Sequence, residues 1–331
     1  MATRKPEAEP VAGDASASGD AEGNDAARGG DAAASAATEA DAAEERTATG
    51  DAAEESAATG DASAEETPAF RLYDMHCHLN RMADAARVCR AGTDLGVATF
   101  CCTVTPSEYA VASRTFAGQS NVRVGAGLHP WWIDKGMRSE EDAGSAAAAA
   151  ARSRFVGEVG LDFGRAHGDS RVEQLAAFEW IARACADRPL SPERHGARPP
   201  RRLFSIHAVR AAGAVLDTLE RFDLLRTSYC IFHWFSGTSD ELARARRLGC
   251  YFSVNEMMLS TRRGREYARQ IPEERLLLET DAPPELDGPY TAAEQVDSLE
   301  RTLDQLAKIR ACDRDQLAAS IAKTSSGLLG L

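Results

Sequence analysis

From Leu72 onward, short runs of consecutive apolar residues alternate with stretches whose apolar residues recur every three or four positions. The first pattern suits strands buried on both faces, the second helices buried on one. Strands are expected at Leu72 to His76, Ala98 to Val104, Val122 to Leu128, Phe155 to Leu161, Leu203 to His207, Tyr229 to Trp234, Cys250 to Val254 and Leu276 to Glu279. Helices are expected between them, at Asn80 to Leu95, after Pro106 and Ser107, and over the alanine run Ala146 to Ala151. Further on, Val172, Leu175, Phe178, Ile181 and Cys185 would form one buried face, and Val215, Leu216, Leu219 and Phe222 another. Thr238-Ser239-Asp240-Glu241 is a capping box whose helix Gly249 closes, and Thr291 to Leu317 is helical. The stretch Asp187 to Arg202, rich in Pro and Arg without periodicity, reads as an inserted surface loop. Eight strands alternating with helices predict an α/β chain with a parallel sheet closed into a (β/α)8 TIM barrel. An open doubly wound sheet is the alternative; no G-x-G-x-x-G follows the first strand, which weakens its dinucleotide-binding version.

Upstream the pattern stops. Residues 1–67 are mostly Ala, Gly, Ser, Thr, Asp and Glu, with Val11 the one branched aliphatic and no aromatic. The octet from Ala48 (ATGDAAEE) half-repeats from Ala58 (ATGDASAEE). This segment holds 17 acidic and 4 basic residues, net −13, which is the net charge of the whole chain. Residues 68–331 balance at 34 of each sign. A segment so poor in apolar side chains cannot offset the entropy of ordering, so a disordered, low-complexity acidic tail is expected over 1–67. The barrel domain is then 68–331, a length usual for eight βα units. The tail lacks the apolar stretch of a signal peptide and the basic amphipathy of a transit peptide. No run reaches the apolar length of a membrane span. Eight cysteines without a C-x-x-C pair read as buried thiols in a reducing compartment. A cytoplasmic monomer with no membrane partner is expected.

Candidate chemistry begins at His76 and His78, whose spacing on a strand turns two imidazoles toward one point. Other polar residues fall at the ends of later strands: His129, Glu158 between Gly157 and Gly160, Asp162, His207, His233, Glu279 and Asp281. In a closed barrel those ends meet at one mouth, where active sites sit. Five of the seven histidines lie there; His167 and His195 stand in loop-like sequence and receive no role. Four imidazoles with two carboxylates exceed the four ligands of a tetrahedral zinc. They suit two divalent ions about 3.5–4 Å apart that share a carboxylate.

The motifs DMHCHL (Asp74–Leu79), GLHP (Gly127–Pro130), GEVGLDF (Gly157–Phe163), IHAVRA (Ile206–Ala211), HWFSG (His233–Gly237) and LLLETDAPP (Leu276–Pro284), with TRRGRE at 261–266, resemble one family. It is the TatD-type metal-dependent deoxyribonucleases, within the amidohydrolase-like barrels, and the resemblance covers nearly all of residues 71–331. It implies that His76, His78 and Asp281 hold one metal, that His207 and His233 hold a second, and that Glu158 bridges them. It further implies that His129 approaches the scissile phosphate and that Asp281 accepts the proton of the attacking water. The cofactors would be two divalent ions, Mg2+, Mn2+ or Zn2+, and the partner DNA. Many members carry an Arg two residues after the fifth-strand histidine. Here Arg210 stands three after His207, the candidate phosphate contact in a shifted place. Trp234 replaces a frequent small residue, which predicts a narrower mouth. The ending Thr324 to Leu328 replaces a more usual Asn/Phe-containing one, and the acidic tail is not a family feature.

A non-specific DNA binder normally shows a basic footprint, and residues 68–331 are net neutral. The clusters Arg201, Arg202, Arg210 and Arg262, Arg263, Arg265 read first as solvated faces. A neutral surface suits single-strand ends better than duplex tracking. Trp131 and Trp132 would either stack on bases or pack under a loop. The expected activity is a divalent-metal-dependent phosphodiester hydrolase, a deoxyribonuclease on single-stranded DNA ends acting through a two-metal bridged hydroxide. The same barrel hydrolysing an ester, lactone or amide is the alternative, and an inactive barrel that binds through its tail is a second.

Overall fold

The computed structural model describes residues 69–133, 137–191, 200–285 and 288–331. The acidic segment 1–67, its boundary at 68, and His195 lie outside the described residues. Eight strands follow one another round a parallel sheet: β1 (Leu72–Cys77), β2 (Val97–Cys102), β3 (Val122–Leu128), β4 (Phe155–Asp162), β5 (Arg202–Val209), β6 (Ser228–His233), β7 (Tyr251–Val254) and β8 (Leu276–Leu278). Past β8 the backbone returns to β1. Asp281 N–H donates to the carbonyl of His76 at 3.0 Å, and His78 N–H donates to that of Ala282 at 2.7 Å. These bonds close the ring, so the chain is a TIM barrel rather than an open sheet.

The helices are α1 (Ala85–Asp94), α2 (Pro106–Thr115), α3 (Met137–Ala150), α4 (Arg171–Asp187), α5 (Ala212–Arg221), α6 (Leu224–Thr227), α7 (Ser239–Arg247), α8 (Glu256–Ser260), α9 (Arg262–Gln270), α10 (Ala292–Arg310) and α11 (Arg314–Leu329). The Thr238 capping box that opens α7 is formed, and Gly249 beyond its end adopts φ +77°. The single expected C-terminal helix is two, broken at Ala311 with φ +50° and restarted by the Asp313 cap. Tyr73, Phe100, Leu203, Ile231 and Leu277 come from five strands. They pack inside the barrel with Leu328 and Leu329 of α11. A larger core lies between strands and helices, including Val156, Phe178, Ile206, Leu216 and Phe252. Each such side chain contributes roughly 1.5–3 kcal/mol by leaving water.

Three expectations need correction. The face of α4 buries Gln174, Ala177, Phe178, Ile181, Ala182 and Cys185, while Val172 is exposed. The helical period is right, but its phase is set by Gln174, which accepts from Asp162 N–H at 2.7 Å and donates to the His167 carbonyl. The stretch expected as a surface loop ends inside the core. Arg202 is buried at the start of β5 and donates to the carbonyls of Ala151, Ser153 and Cys185. Arg201 serves Leu225 and Ser228 in the same way. Both arginines satisfy backbone, so they form neither the solvated face expected for them nor a phosphate-facing cluster. Seven cysteines are buried as expected, and Cys312 is exposed.

Two backbone features position the mouth. The pairing of β1 with β2 slips between Asp74 and Cys77. Before the slip, Met75 faces the barrel interior and Asp74 faces outward to Gln295 of α10. Unbroken alternation would send His76 outward after Asp74; the slip turns it inward. At the second feature, Thr103 just beyond β2 reaches across to β4. Its carbonyl accepts from Glu158 N–H at 2.8 Å, and its own N–H donates to the Gly157 carbonyl at 3.0 Å. That crossing passes over Gly127, where a Cβ would stand 1.7 Å from the Thr103 oxygen.

Candidate metal centre

Glu158, brought in by the crossing at Gly127, is the middle of the cluster and is 1% exposed. Its Oε2 lies 3.3 Å from Nε2 of both His76 and His78. Its Oε1 lies 3.1 Å from His129 Nε2, 2.9 Å from His207 Nδ1 and 2.9 Å from His233 Nε2. Asp281 Oδ1 completes the first group, 3.5 Å from His76 Nε2 and 3.4 Å from His78 Nε2. Each carboxylate oxygen of Glu158 thus faces its own set of imidazoles.

The outer contacts of the imidazoles decide which nitrogen faces inward. His78 Nδ1 is 2.9 Å from the Cys102 carbonyl, which can only accept, so Nδ1 keeps its proton and Nε2 faces the carboxylates. His76 Nδ1 contacts Ser205 Oγ at 2.6 Å, and its ring stacks on His233 with centroids 3.9 Å apart. His207 Nε2 lies 3.3 Å from Asp162 Oδ2, leaving Nδ1 toward Glu158. Behind His233, Nδ1 stands 3.7 Å from Glu279, a carboxylate that also accepts from Ser253 and Asn255. Carboxylates or carbonyls behind an imidazole are the usual supports of metal-binding histidines. His129 differs: its Nδ1 accepts from Trp131 N–H at 3.1 Å, so the neutral ring carries its proton on Nε2 and donates to Glu158.

This donor set fits divalent ions. His76–His78–Asp281, His129–Glu158–His207 and His76–His233–Glu279 each converge closely enough to share one. His76 Nε2 is buried without a hydrogen-bond partner among the described residues. It stands 3.3 and 3.5 Å from two carboxylate oxygens. Ligand atoms on bonds of about 2.0–2.1 Å to one tetrahedral ion are separated by a similar span.

The ionisations are pulled strongly apart. Burial lowers His76 to about 4, with His233 adding to the effect. Burial also lowers His129 to about 4, although Glu158 opposes it. Burial acts against the charge of His78 too, but the Asp281 and Glu158 carboxylates outweigh it and raise that imidazole to about 10. For Glu158, burial is outweighed by His129, His233 and His76, which hold the carboxyl well below its ordinary range. Burial raises Glu279 to about 7 despite His233. Opposed shifts among touching groups are characteristic of functional sites.

All six residues expected as ligands, with His129, therefore meet at the mouth. Arg210 is exposed just past β5 with φ +52°. Sequence reasoning gave no role to Asp162 or Glu279, although both were visible at strand ends. It also left out His167, whose ring stacks on Trp131 with centroids 4.8 Å apart.

A closed parallel barrel with a buried histidine–carboxylate cluster at its mouth defines a metal-dependent hydrolase. The chain belongs to the TatD related DNase family, whose model matches residues 73–330. Members are metal-dependent hydrolases of phosphodiester bonds. The chain is 30% identical over 214 residues to the 3'-5' ssDNA/RNA exonuclease TatD of Citrobacter rodentium, covering 62% of this chain and 76% of that protein. It is 28% identical over 214 residues to the protein of the same description from Escherichia coli K12, covering 62% and 77%. In fold it matches a TatD homologue from Escherichia coli K12 with TM-score 0.58 and 22% identity, over 79% of this chain and 98% of that one. It matches a TatD family hydrolase from Entamoeba histolytica with TM-score 0.60 and 14% identity, over 79% and 99%. No helix among the described residues is long and apolar enough to cross a membrane.

Proposed function

We propose that the chain is a deoxyribonuclease that hydrolyses single-stranded DNA from a 3' end, with two divalent ions held on either side of Glu158. The observation that carries this reading is the division of Glu158, Oε2 toward His76 and His78 and Oε1 toward His207 and His233. His76, His78 and Asp281 would hold one ion, and His207 and His233 the other. Magnesium, manganese or zinc in these places would acidify a water and neutralise charge on the phosphoryl oxygens. Asp281 accepts the proton of the attacking water. With Glu158 engaged by the ions, His129 would turn its Nε2–H to hydrogen-bond a phosphoryl oxygen, the proton staying on the ring, and Arg210 meets a neighbouring phosphate from the rim. The choice of single strands follows the relatives' description and the neutral charge of residues 68–331. Buried thiols support work in the reducing cytoplasm.

The test joins metal counting to product mapping on an end-labelled single-stranded oligonucleotide. Two ions per chain, activity lost to chelator and restored by metal, and products shortened stepwise from the 3' end are expected. Full activity at one ion per chain would refute the two-ion centre. Faster turnover of carboxyl esters than of any phosphodiester would move the assignment to the ester, lactone or amide hydrolases.

A further inference from the structure

We infer that Trp131 and Trp132, with His167 and Arg81, form a nucleobase-stacking shelf beside the metal centre. The inference rests on the proposed single-stranded DNA substrate and names how its bases are held. Trp131 and Trp132 are 44% and 37% exposed, leaving large aromatic surface in water that packing under a loop would have buried. They directly follow His129, and their rings lie 4.9 and 5.5 Å from its ring. The aromatic surface therefore begins within one side chain of the Glu158 cluster.

Both indoles are held rather than loose. Trp131 Nε1–H donates to Asp162 Oδ2 at 2.6 Å, and its ring lies 14° from parallel with His167. The Arg81 guanidinium covers Trp132 at 4.7 Å and is itself fixed by Glu108. Pro130 and the His129 side chain set the single 3-10 turn, Pro130–Trp132, that carries them. The polar edge of Trp131 is thus satisfied inward, against a carboxylate that also contacts His207. His167 takes one face of Trp131 and Arg81 one face of Trp132, so the exposed remainder of each ring, on a preorganised frame, is what a base would meet. Such a surface recognises the face of any base and offers no edge-reading hydrogen bonds, so it is tolerant of sequence and favours the larger purines. A base flanking the scissile phosphate lies against this shelf and fixes the strand relative to His129.

The experiment compares a short single-stranded oligonucleotide with strands that carry an abasic tetrahydrofuran residue, placed in turn at each nucleotide flanking the cut. With the metal-loaded wild-type protein, the abasic residue at one position should raise KM roughly 5- to 150-fold, the factor that base stacking on an aromatic supplies. A purine there should bind more tightly than a pyrimidine. Trp131→Ala and Trp132→Ala should raise KM for the intact strand and bring its ratio to the abasic strand toward one. Trp131→Phe keeps a ring without the Asp162 bond, so it should retain most of the ratio even where kcat falls. A purely structural role would slow both strands equally and leave the ratio unchanged. Quenching of tryptophan fluorescence by the intact strand in metal-free protein, weaker with the abasic strand, gives a readout without turnover. No abasic penalty at any position in the wild type, or a penalty that survives both alanine variants, overturns the shelf and leaves the nuclease reading standing. A wild-type protein that leaves the intact strand uncut overturns the nuclease reading and the shelf together.

Discussion

Asp74 accepts two hydrogen bonds from Thr280, one from the backbone N–H at 2.9 Å and one from the hydroxyl at 2.6 Å. Gln295 of α10 adds a third at 2.8 Å. The next residue, Asp281, is held in the left-handed region at φ +57°, which costs a non-glycine residue on the order of 1–3 kcal/mol. The Asp74–Thr280 clamp supports that conformation from outside the barrel. Replacing Asp74 with Asn places an amide where three donors converge. Metal affinity should fall about 10- to 100-fold, as for other residues that hold a ligand in place. Manganese titration of the folded variant checks this; unchanged affinity would release Asp74 from any part in positioning Asp281.

Glu158→Gln should be the most damaging single change among the ligands. The amide removes the charge on which both groups of imidazoles converge, and it can present only one good acceptor atom. Turnover should drop at least about a hundredfold, equal to roughly 2.7 kcal/mol of lost transition-state stabilisation. His207→Ala or His233→Ala should retain one bound ion. Metal counts and turnover on the same preparations distinguish these outcomes, and near-native turnover in Glu158→Gln would refute the bridging role.

Gly127→Ala tests the crossing of Thr103 to β4. The added Cβ would fall 1.7 Å from the Thr103 oxygen and 2.6 Å from Glu158 N, both backbone atoms with nowhere to move. Overpacking of this kind costs about 1–3 kcal/mol or more. Thermal unfolding should shift down by roughly 5–10 °C in a domain of this size, with weaker metal binding because Glu158 is displaced. A variant with wild-type melting and metal content would show that the strands can part without loss.

Residues 1–67 hold the chain's whole net charge of −13, ahead of the first described strand. Such a charge opposes an approaching polyanion over about one Debye length, roughly 10 Å at 0.1 M salt. Removing the segment should lower KM for a short single strand at low salt, leave kcat and the melting temperature unchanged, and have less effect as salt rises. Kinetics of the two forms across a salt series measure this. Equal KM at every salt would make the segment electrostatically silent, and a fall in kcat would show that the barrel needs it.

The strands were legible because a fully buried strand is an unbroken apolar run, and Val122–Leu128 matches its expected limits residue for residue. The meeting of the six residues expected as ligands was legible because strand ends in a barrel must meet. The helix α9 was not, since the buried stripe of Arg262–Gln270 is only Gly264, Tyr267 and Ala268, too weakly apolar to stand out among its arginines. Nor was the slip in β1, because alternation alone turns His76 the wrong way and the inward turn depends on Ser205 and His233 across the barrel. Asp162 and Glu279 stood in plain view at strand ends. Their partners, His207 and His233, are fixed by neighbouring strands that sequence spacing does not reveal.

The bonds from Asp281 N–H to His76 and from His78 N–H to Ala282 that close the ring join the ends of the first and last strands. They also join two halves of one ligand group, so the centre is finished only when nearly the whole barrel has left the ribosome. A chain that stops before Asp281 keeps His76 and His78 but lacks the carboxylate that faces both and the bonds that cover the end of β1. The residues that close the barrel thus also complete this group of side chains, so closure of the fold and assembly of the candidate centre are one event.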